Sequence, residues 1–401
     1  MAFEGDNMMG VKRNNRNAIL QLLHNNVSMS RKRLAEEMHL TAAAITKIVG
    51  EMQEEGLLRE GEAVATGSAG RREILISVNP DHAYCLGIHI NVRQAILSAT
   101  RLDGSIIFSK TVRLVPNSPA ESTIRMLTQL LMESVEEQTI PKEKIFGIGI
   151  AVRGSVSKDS RVSVNSFGAL SEKNYPICER VEELTGFPAF LSNNVRALHW
   201  AQMFMERGNL QQSQFFLRCE YGIGASVSFK GRIWNGVHKI SGEFGHIPIR
   251  PTDGKQCVCG RRGCLETIAS PTAIRETAAE RLSPEKTPVL WQICQREGIV
   301  DPDLDQIFEA FEQGDPGVSE VVQDAARCLA LSIAGIIRTL DPDKVVLYGR
   351  LFEQNAYMEC LLNELDDEDR EILEKSNYNG RLEPCAASLV AIRAYFGRGG
   401  I

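Results

Sequence analysis

Gly242-Glu243-Phe244-Gly245-His246 and, after ten intervening residues, Cys257-Val258-Cys259-Gly260-Arg261-Arg262-Gly263-Cys264-Leu265-Glu266 form the most telling stretch of this 401-residue chain. Three cysteines fall within eight residues, and Gly260 and Gly263 let the backbone fold so that their sulfurs can meet one ion. His246 is near enough to supply a fourth ligand. Three thiolates and an imidazole make a closed, structural zinc set. The spacing is not the common paired CxxC. Three buried or free cysteines are the bland alternative, and a redox role is a weaker one. The other seven cysteines (Cys85, Cys178, Cys219, Cys294, Cys328, Cys360 and Cys385) are scattered and read as small core residues.

Working outward, the chain is long enough for roughly two to four domains. Hydrophobic residues are 43% and charged residues 24%, which excludes wholesale disorder, collagen and a disulfide miniprotein. The longest clean apolar run, residues 328–337, is ten residues against the roughly 20 a bilayer needs, so a buried helix and no membrane span is expected. The first residues carry Glu4 and Asp6 and no apolar stretch. With ten cysteines and no visible secretory signal, a cytoplasmic, reducing location is expected.

Net charge is −6, which taken whole argues against nucleic acid. Residues 1–80 nevertheless hold ten basic and ten acidic side chains, so the imbalance belongs to the rest. Residues 12–47 carry seven basic side chains (Lys12, Arg13, Arg16, Arg31, Lys32, Arg33 and Lys47) against Glu36 and Glu37. That is the pattern of a small DNA-reading module on a larger sensor, or of a solvated helix face.

Apolar residues Ile19 to Leu23 predict a first helix over about residues 12–25. Ser30 is placed to cap a second helix, although Arg33 stands where a capping box would have Glu. Thr41 is placed to cap a third, with Ile45, Ile48, Val49 and Met52 on one face and Gly56 as its stop. Two strands around a glycine-hinged loop, 57–60 and 72–78, complete a winged helix-turn-helix, against the plainer alternative of any small three-helix domain. Arg31, Lys32, Arg33, Lys47, Arg71 and Arg72 are candidate phosphate contacts. Thr41, Ala42, Thr46 and Lys47 are candidates for the major groove.

Asn79-Pro80-Asp81 marks a boundary, and the pattern beyond it is α/β. Strands are expected over 84–90, 95–100, 106–112, 145–152, 189–191, 215–218, 225–229 and 344–348. Helices are expected over 119–138, 181–185 and 195–206, and through much of 271–339. The acidic cluster 364–369 reads as a solvated loop or helix face.

The GEFGH and CxCGxxGCLE motifs together resemble the ROK family (repressors, open reading frames and sugar kinases). With the N-terminal helix-turn-helix, the chain resembles its NagC/XylR type of transcriptional regulator over residues 12–401. The resemblance implies an actin-like (hexokinase/RNase H-like) two-lobed domain over 81–401 behind a DNA-binding domain over 1–80. One lobe would be 81–193 plus the C-terminal end and the other 194–384, with sugar in the cleft. It implies Zn2+ on His246, Cys257, Cys259 and Cys264. It implies sugar contacts by Asn193, Asn194, Glu243, His246 and Glu266, where surface charge is the plain alternative for the two glutamates. Gly154 and Ser155 fall in the segment resembling the substrate loop, with Arg153 replacing the usual proline.

The departures bear on activity. The residue after the sugar-binding asparagine is the kinases' general-base aspartate, and here it is Asn194, an amide that cannot take a proton near neutrality. The kinases' Asp-x-Gly-x-Thr phosphate loop reads His89-Ile90-Asn91-Val92-Arg93. The second phosphate motif reads Glu220-Tyr221-Gly222-Ile223-Gly224-Ala225, and the adenosine-side glycines read Tyr348-Gly349-Arg350. These changes lead us to expect a sugar-responsive, non-enzymatic regulator of carbohydrate genes, most simply a repressor. Its expected partners are a double-stranded DNA operator and a sugar or sugar phosphate. ATP is not expected as a partner, and a homodimer or homotetramer would match paired operator half-sites. The alternatives are a sugar kinase with an appended DNA-binding domain, and a regulator controlled by a protein partner.

Overall fold

The computed structural model describes residues 8–64, 73–207, 212–237 and 241–401. Arg71 and Arg72 lie outside them. The chain forms two compact units, Met1–Leu210 with Arg381–Ile401, and Gln211–Gly380.

The first unit opens with α1 (Met8–Asn26), β1 (Met29–Ser30), α2 (Arg31–Met38), α3 (Ala42–Glu54), β2 (Leu58–Val64) and β3 (Glu73–Val78). The strands pair in the order β1-β3-β2, which gives the winged helix-turn-helix. Capping sets the turn. Ser30 Oγ accepts from Arg33 N at 3.3 Å, and Thr41 Oγ1 accepts from Ala44 N at 3.2 Å, so each hydroxyl satisfies an orphan amide of its helix. His39 ends α2 in the left-handed conformation at φ 52°. Ile45, Val49 and Met52 of α3 are buried with Leu34 of α2 and Ile19, Leu20 and Leu23 of α1.

Beyond residue 80 come β4 (Tyr84–Ile90), β5 (Gln94–Arg101), β6 (Ile106–Arg113), α4 (Ala120–Glu137), β7 (Ile145–Val152), a small hairpin of β8 (Ser155–Val156) and β9 (Ser163–Asn165), α5 (Ile177–Thr185), β10 (Ala189–Asn193) and α6 (Asn194–Glu206). The sheet runs β10-β7-β4-β5-β6, parallel across β10, β7 and β4 and antiparallel from β4 to β6.

The second unit holds β11 (Gln214–Cys219), β12 (Ile223–Phe229), β13 (Arg232–Trp234), α7 (Glu266–Ala269), α8 (Pro271–Glu280), α9 (Pro288–Glu297), α10 (Leu304–Glu312), α11 (Pro316–Leu340), β14 (Lys344–Tyr348), α12 (Asn355–Asn363), α13 (Asp367–Glu371) and β15 (Leu373–Lys375). Its sheet runs β13-β12-β11-β14-β15. Three antiparallel strands followed by two parallel ones thus occur twice, the duplicated architecture of the actin-like fold. In the second unit the core lies between β11, β12 and β14 and helices that include α8, α10 and α11. Asp369, which the sequence pattern puts in a solvated cluster, is 2% exposed and bonded to Arg338.

The chain returns to the first unit as α14 (Glu383–Gly397), a helix the sequence pattern did not announce. Nine of its residues, from Cys385 to Phe396, are buried. Its small residues enter a trough made by two glycines of the sheet. A Cβ on Gly149 would lie 1.8 Å from Ala387 O, and one on Gly87 would lie 2.5 Å from Ser388 N. Gly149→Ala is therefore expected to push α14 off β7 and cost about 3 kcal/mol, since backbone cannot yield as a flexible side chain does. Urea unfolding measures this, and an unshifted midpoint would contradict the close approach.

The unit boundary differs from the sequence expectation, which opened the second lobe at residue 194. The crossing falls after residue 210 because α6 packs on α14, with Trp200 Nε1 donating to Leu389 O at 3.1 Å. The chain crosses back at residues 380–381, against the expected 384. Residues 1–80 fall within the first of these two units.

Candidate functional site

In the second unit the Gly242–His246 segment runs beneath β12. Gly242 has φ +91°, and a Cβ there would meet Ala225 O at 2.0 Å, so only glycine fits. Phe244 anchors the following turn by packing edge-on against Phe215, ring centroids 5.2 Å apart. The next residues double back through bridges pairing Pro248 with Cys264 and Gln256 with Arg262. Gly263, at φ +62°, makes this fold possible, because a Cβ would sit 1.7 Å from Arg250 O.

This folding brings His246, Cys257, Cys259 and Cys264 together, with their ligand atoms all within 4.8 Å of one another. Cys257 Sγ lies 3.4 Å from His246 Nδ1, and Cys259 Sγ lies 3.7 Å from Cys264 Sγ. Four ligands about 2.3 Å from a tetrahedral ion stand about 3.8 Å apart, so the cluster has the size and chemistry of a structural zinc site. Burial pushes the Cys257 thiol up to about 12 and also raises that of Cys264. Burial acts the same way on Cys259, but hydrogen bonds from the Arg261 main chain, Cys257 and the Arg261 guanidinium outweigh it and lower its pKa. Cys259 is thus the thiol readiest to ionise.

The imidazole links this cluster to a carboxylate. With Nδ1 turned to Cys257, His246 Nε2 stands 3.5 Å from Glu243 Oε2. A carboxylate there fixes ring orientation and raises the basicity of the ligating nitrogen. Glu243 is 36% exposed, so the same group can also meet a solute. Glu266 opens α7 two residues after Cys264, and its Oε2 accepts from Ile223 N at 3.1 Å.

One carboxylate of this unit escaped the sequence reading. Glu220 Oε2 accepts from Arg350 N at 3.0 Å, and Gly349 N donates to Asn379 Oδ1 at 2.8 Å. The segments resembling the second phosphate motif and the adenosine-side glycines are thus joined by a carboxylate. The replacement of a phosphate-motif residue by Glu is the signal that points to it.

Asn193 and Asn194 belong to the first unit. Asn193 caps α6, with Oδ1 accepting from Val195 N at 2.9 Å and Arg196 N at 3.3 Å. Its Nδ2 donates to Gly154 O at 2.6 Å, which leaves one N–H for a further acceptor. Asn194 is 3% exposed, and its Oδ1 is 3.0 Å from Val195 N. His89, where the kinase loop begins with Asp, is fully buried in β4 with Nδ1 3.4 Å from Glu383 O.

In the helix-turn-helix, Lys32 and Arg33 of α2 and Thr41, Ala42, Thr46 and Lys47 at the start of α3 are exposed. Thr46 Oγ1 donates to Ala42 O at 2.7 Å, so its methyl group and oxygen lone pairs are what it presents. Arg31 differs from the rest. Its Nη2 donates to Gln53 at 2.7 Å and to Glu60 at 2.9 Å, so it braces α3 against the wing.

Among the described residues no helix is long and apolar enough to cross a membrane. Residues 12–59 match the winged helix-turn-helix DNA-binding family, and residues 85–391 match the ROK family. The chain is 26% identical over 348 residues to the DNA-binding transcriptional dual regulator NagC of Escherichia coli K12, covering 87% of this chain and 83% of that one. It is 24% identical to the xylose repressor of Bacillus subtilis, with coverage of 86% and 84%. The crystal structure of a ROK family transcriptional regulator, a homologue of the E. coli MLC protein, superposes with a TM-score of 0.78 at 23% identity, covering 97% of this chain and 98% of that one. A match spanning most of the chain, with both signature motifs intact and a helix-turn-helix in front of it, places this protein in the ROK family.

Proposed function

We propose that the chain is a sugar-responsive transcriptional repressor whose ROK domain binds a sugar or sugar phosphate without phosphorylating it. The observation that carries this reading is Asn194. It stands buried at the general-base position, and an amide there cannot accept the proton of an attacking hydroxyl. Glu220 supports it, since it sets a carboxylate, bonded to Arg350 N, in the segment resembling the kinases' second phosphate motif. ATP is accordingly no partner in this reading. The candidate sugar contacts of the second unit are Glu243, His246 and Glu266, and those of the first are Asn193 and Asn194. Carboxylates suit the task because each accepts from neighbouring hydroxyls. The related N-acetylglucosamine and xylose repressors make those two sugars the first to try.

Zinc would be held by His246, Cys257, Cys259 and Cys264, where it cross-links the loop and supplies no chemistry to a substrate. Through His246 that loop orients Glu243, and through Cys264 it sets the start of α7 at Glu266. At the operator, Lys32, Arg33, Lys47 and the wing residues Arg71 and Arg72 would hold phosphates, while Thr41, Ala42 and Thr46 meet base edges. Arg31 acts behind them as a brace. A homodimer or homotetramer would pair two such modules on one operator in the cytoplasm.

Gel shifts with operator fragments and a panel of hexoses, pentoses and their phosphates test the proposal. Glu243→Gln is expected to weaken the sugar response at least tenfold and leave operator affinity without sugar within twofold, as for loss of a charged hydrogen bond worth about 1.5–3 kcal/mol. An unchanged response would remove the carboxylate from the site. Phosphoryl transfer to a hexose by the wild-type protein, lost in Asn194→Ala, would overturn the non-catalytic reading.

A further inference from the structure

Arg16 is the largest fully buried side chain among the described residues, and it falls on the apolar face of α1 with Ile19, Leu20 and Leu23. A buried guanidinium persists only where its donors are met. Here Nε donates to Gly399 O at 2.7 Å, and Nη1 donates to Glu55 Oε1 at 2.8 Å beside a second, shorter bond from Nη2 to Glu55 Oε2. Glu55 is the C-cap of α3, the helix that carries Ala42, Thr46 and Lys47. Gly399 and Gly400 follow α14, both at positive φ, and a Cβ on Gly400 would meet Leu57 Cδ2 at 2.4 Å. One side chain therefore joins three elements far apart in sequence: α1, the end of α3 and the end of α14.

The far end of α1 rests on the same body. His24 stacks on Phe204 of α6 with ring centroids 3.7 Å apart, its Nε2 is 2.8 Å from Phe204 O, and Phe396 of α14 closes the group at 6.3 Å. Helices α6 and α14 are themselves joined by the Trp200–Leu389 hydrogen bond and by Arg393, whose guanidinium lies 5.3 Å from the Trp200 ring centre. Gly87 and Gly149 let the α14 backbone sit close on the sheet, so lifting it would open a void, whereas sliding or rotation keeps the contact. Such small helix shifts are what packed interfaces amplify.

We propose that α14 is the lever that carries the state of the Asn193–Asn194 end of α6 to the recognition helix α3, and that the Arg16–Glu55–Gly399 node is the latch between lever and reader. The sugar-responsive reading supplies only the stimulus. The mechanical link exists without it, and the test separates the two.

The test is hydrogen exchange on the full chain, comparing wild type, Arg16→Gln, Glu55→Gln, Asn193→Ala, the doubles Asn193→Ala/Arg16→Gln and Asn193→Ala/Glu55→Gln, and Arg180→Gln. The last breaks an exposed ion pair with Glu121 in the same unit. Amides of residues 42–54 and 391–399 are expected to exchange about tenfold faster in either latch variant and unchanged in Arg180→Gln, as for loss of a charge-assisted hydrogen bond. Asn193→Ala uncaps α6 and is expected to speed exchange over 42–54 in an intact latch. It should add less than twofold once the latch is cut. If the two effects simply multiply, or if latch variants change residues 8–55 alone, the lever is refuted. Glu55→Gln keeps the bond to Gly399, so it carries the comparison if Arg16→Gln fails to fold.

A second arm adds xylose, N-acetylglucosamine or N-acetylglucosamine 6-phosphate. A sugar that raises the melting temperature of wild type and of Glu55→Gln alike should change exchange over 42–54 in wild type only. A response preserved in Glu55→Gln overturns the latch. No melting shift with any sugar counts against the sugar-responsive reading, and the variant cycle still decides the lever.

Discussion

On the zinc reading, Cys264→Ser is expected to abolish metal binding and lower the melting temperature by about 10 °C or more, on the scale of 2–4 °C per kcal/mol for a chain of this kind. The argument begins with what else holds the loop. Residues 251–253, 255, 256, 258, 261 and 262 are exposed, so the segment between Ile249 and Cys264 has almost no apolar core of its own. Its backbone is pinned by Gly263 against Arg250, and apart from the ion pairs Arg250–Asp324 and Lys255–Glu280 its side chains converge on the four-donor cluster. A structural zinc in such a setting contributes folding energy directly, about 10–16 kcal/mol in small zinc peptides at neutral pH. A serine hydroxyl is a poor ligand for this ion, and Cys264 is fully buried, so no other donor can swing in. Metal content by emission spectrometry and melting by calorimetry read the result. Full metal content with an unchanged melting temperature would rule out the site.

The sign of the pH dependence follows from the same cluster. Binding needs thiolates, and burial raises the pKa of both Cys257 and Cys264. At least two protons must leave when metal enters, so affinity should fall about a hundredfold for each unit that pH drops through neutrality. Competition with a chelator at several pH values measures this slope. A pH-independent affinity would mean that the raised thiols are not ligands.

The parts that sequence made legible share one property: their chemistry is local. Ser30 and Thr41 each precede an apolar stripe and each cap a helix by their own hydroxyls, so a few residues suffice to read them. The metal cluster is read from 23 consecutive residues, 242–264, for the same reason. What escaped is long-range. Helix α14 is buried on nearly every side by β4, β5, β7 and α6, so it shows no amphipathic stripe, and the glycines that receive it lie about 240–300 residues earlier. Arg31 sits in a basic run that suggests phosphate, yet Glu60, 29 residues on, claims it. Asp369 is masked by four acidic neighbours, although it alone of that cluster is buried, and Arg338 pairs with it as well as with exposed Asp366. Arg16 did leave a local trace, a charge on the apolar face of α1. Its partners at Glu55 and Gly399 are visible only in the fold.

The double reversal Lys32→Glu/Lys47→Glu should weaken binding to a generic duplex of about 24 base pairs at least a hundredfold near 50 mM salt. Sequence-independent affinity comes from counterions released at each neutralised phosphate, so the slope of log K against log salt flattens by about 0.9 for each phosphate left without its cation. Two such phosphates therefore predict a slope shallower by about 1.8. Both lysines are exposed on the helices of the turn, and neither carries the buried stripe of Leu34, Ile45, Val49 and Met52. The module should accordingly keep its fold, which circular dichroism checks. Arg31 provides the contrast, because its guanidinium is already bonded to Gln53 and Glu60. Arg31→Gln should leave the salt slope within about 0.3 while loosening the helix–wing contact only slightly, as for a partly exposed ion pair. A slope unaffected by the double reversal, or altered more by Arg31→Gln, would move the DNA-binding face away from the α2–α3 turn. The whole-chain charge of −6 makes the experiment sharper, since the acidic bulk of the molecule repels a duplex and cannot make up for the reversed lysines.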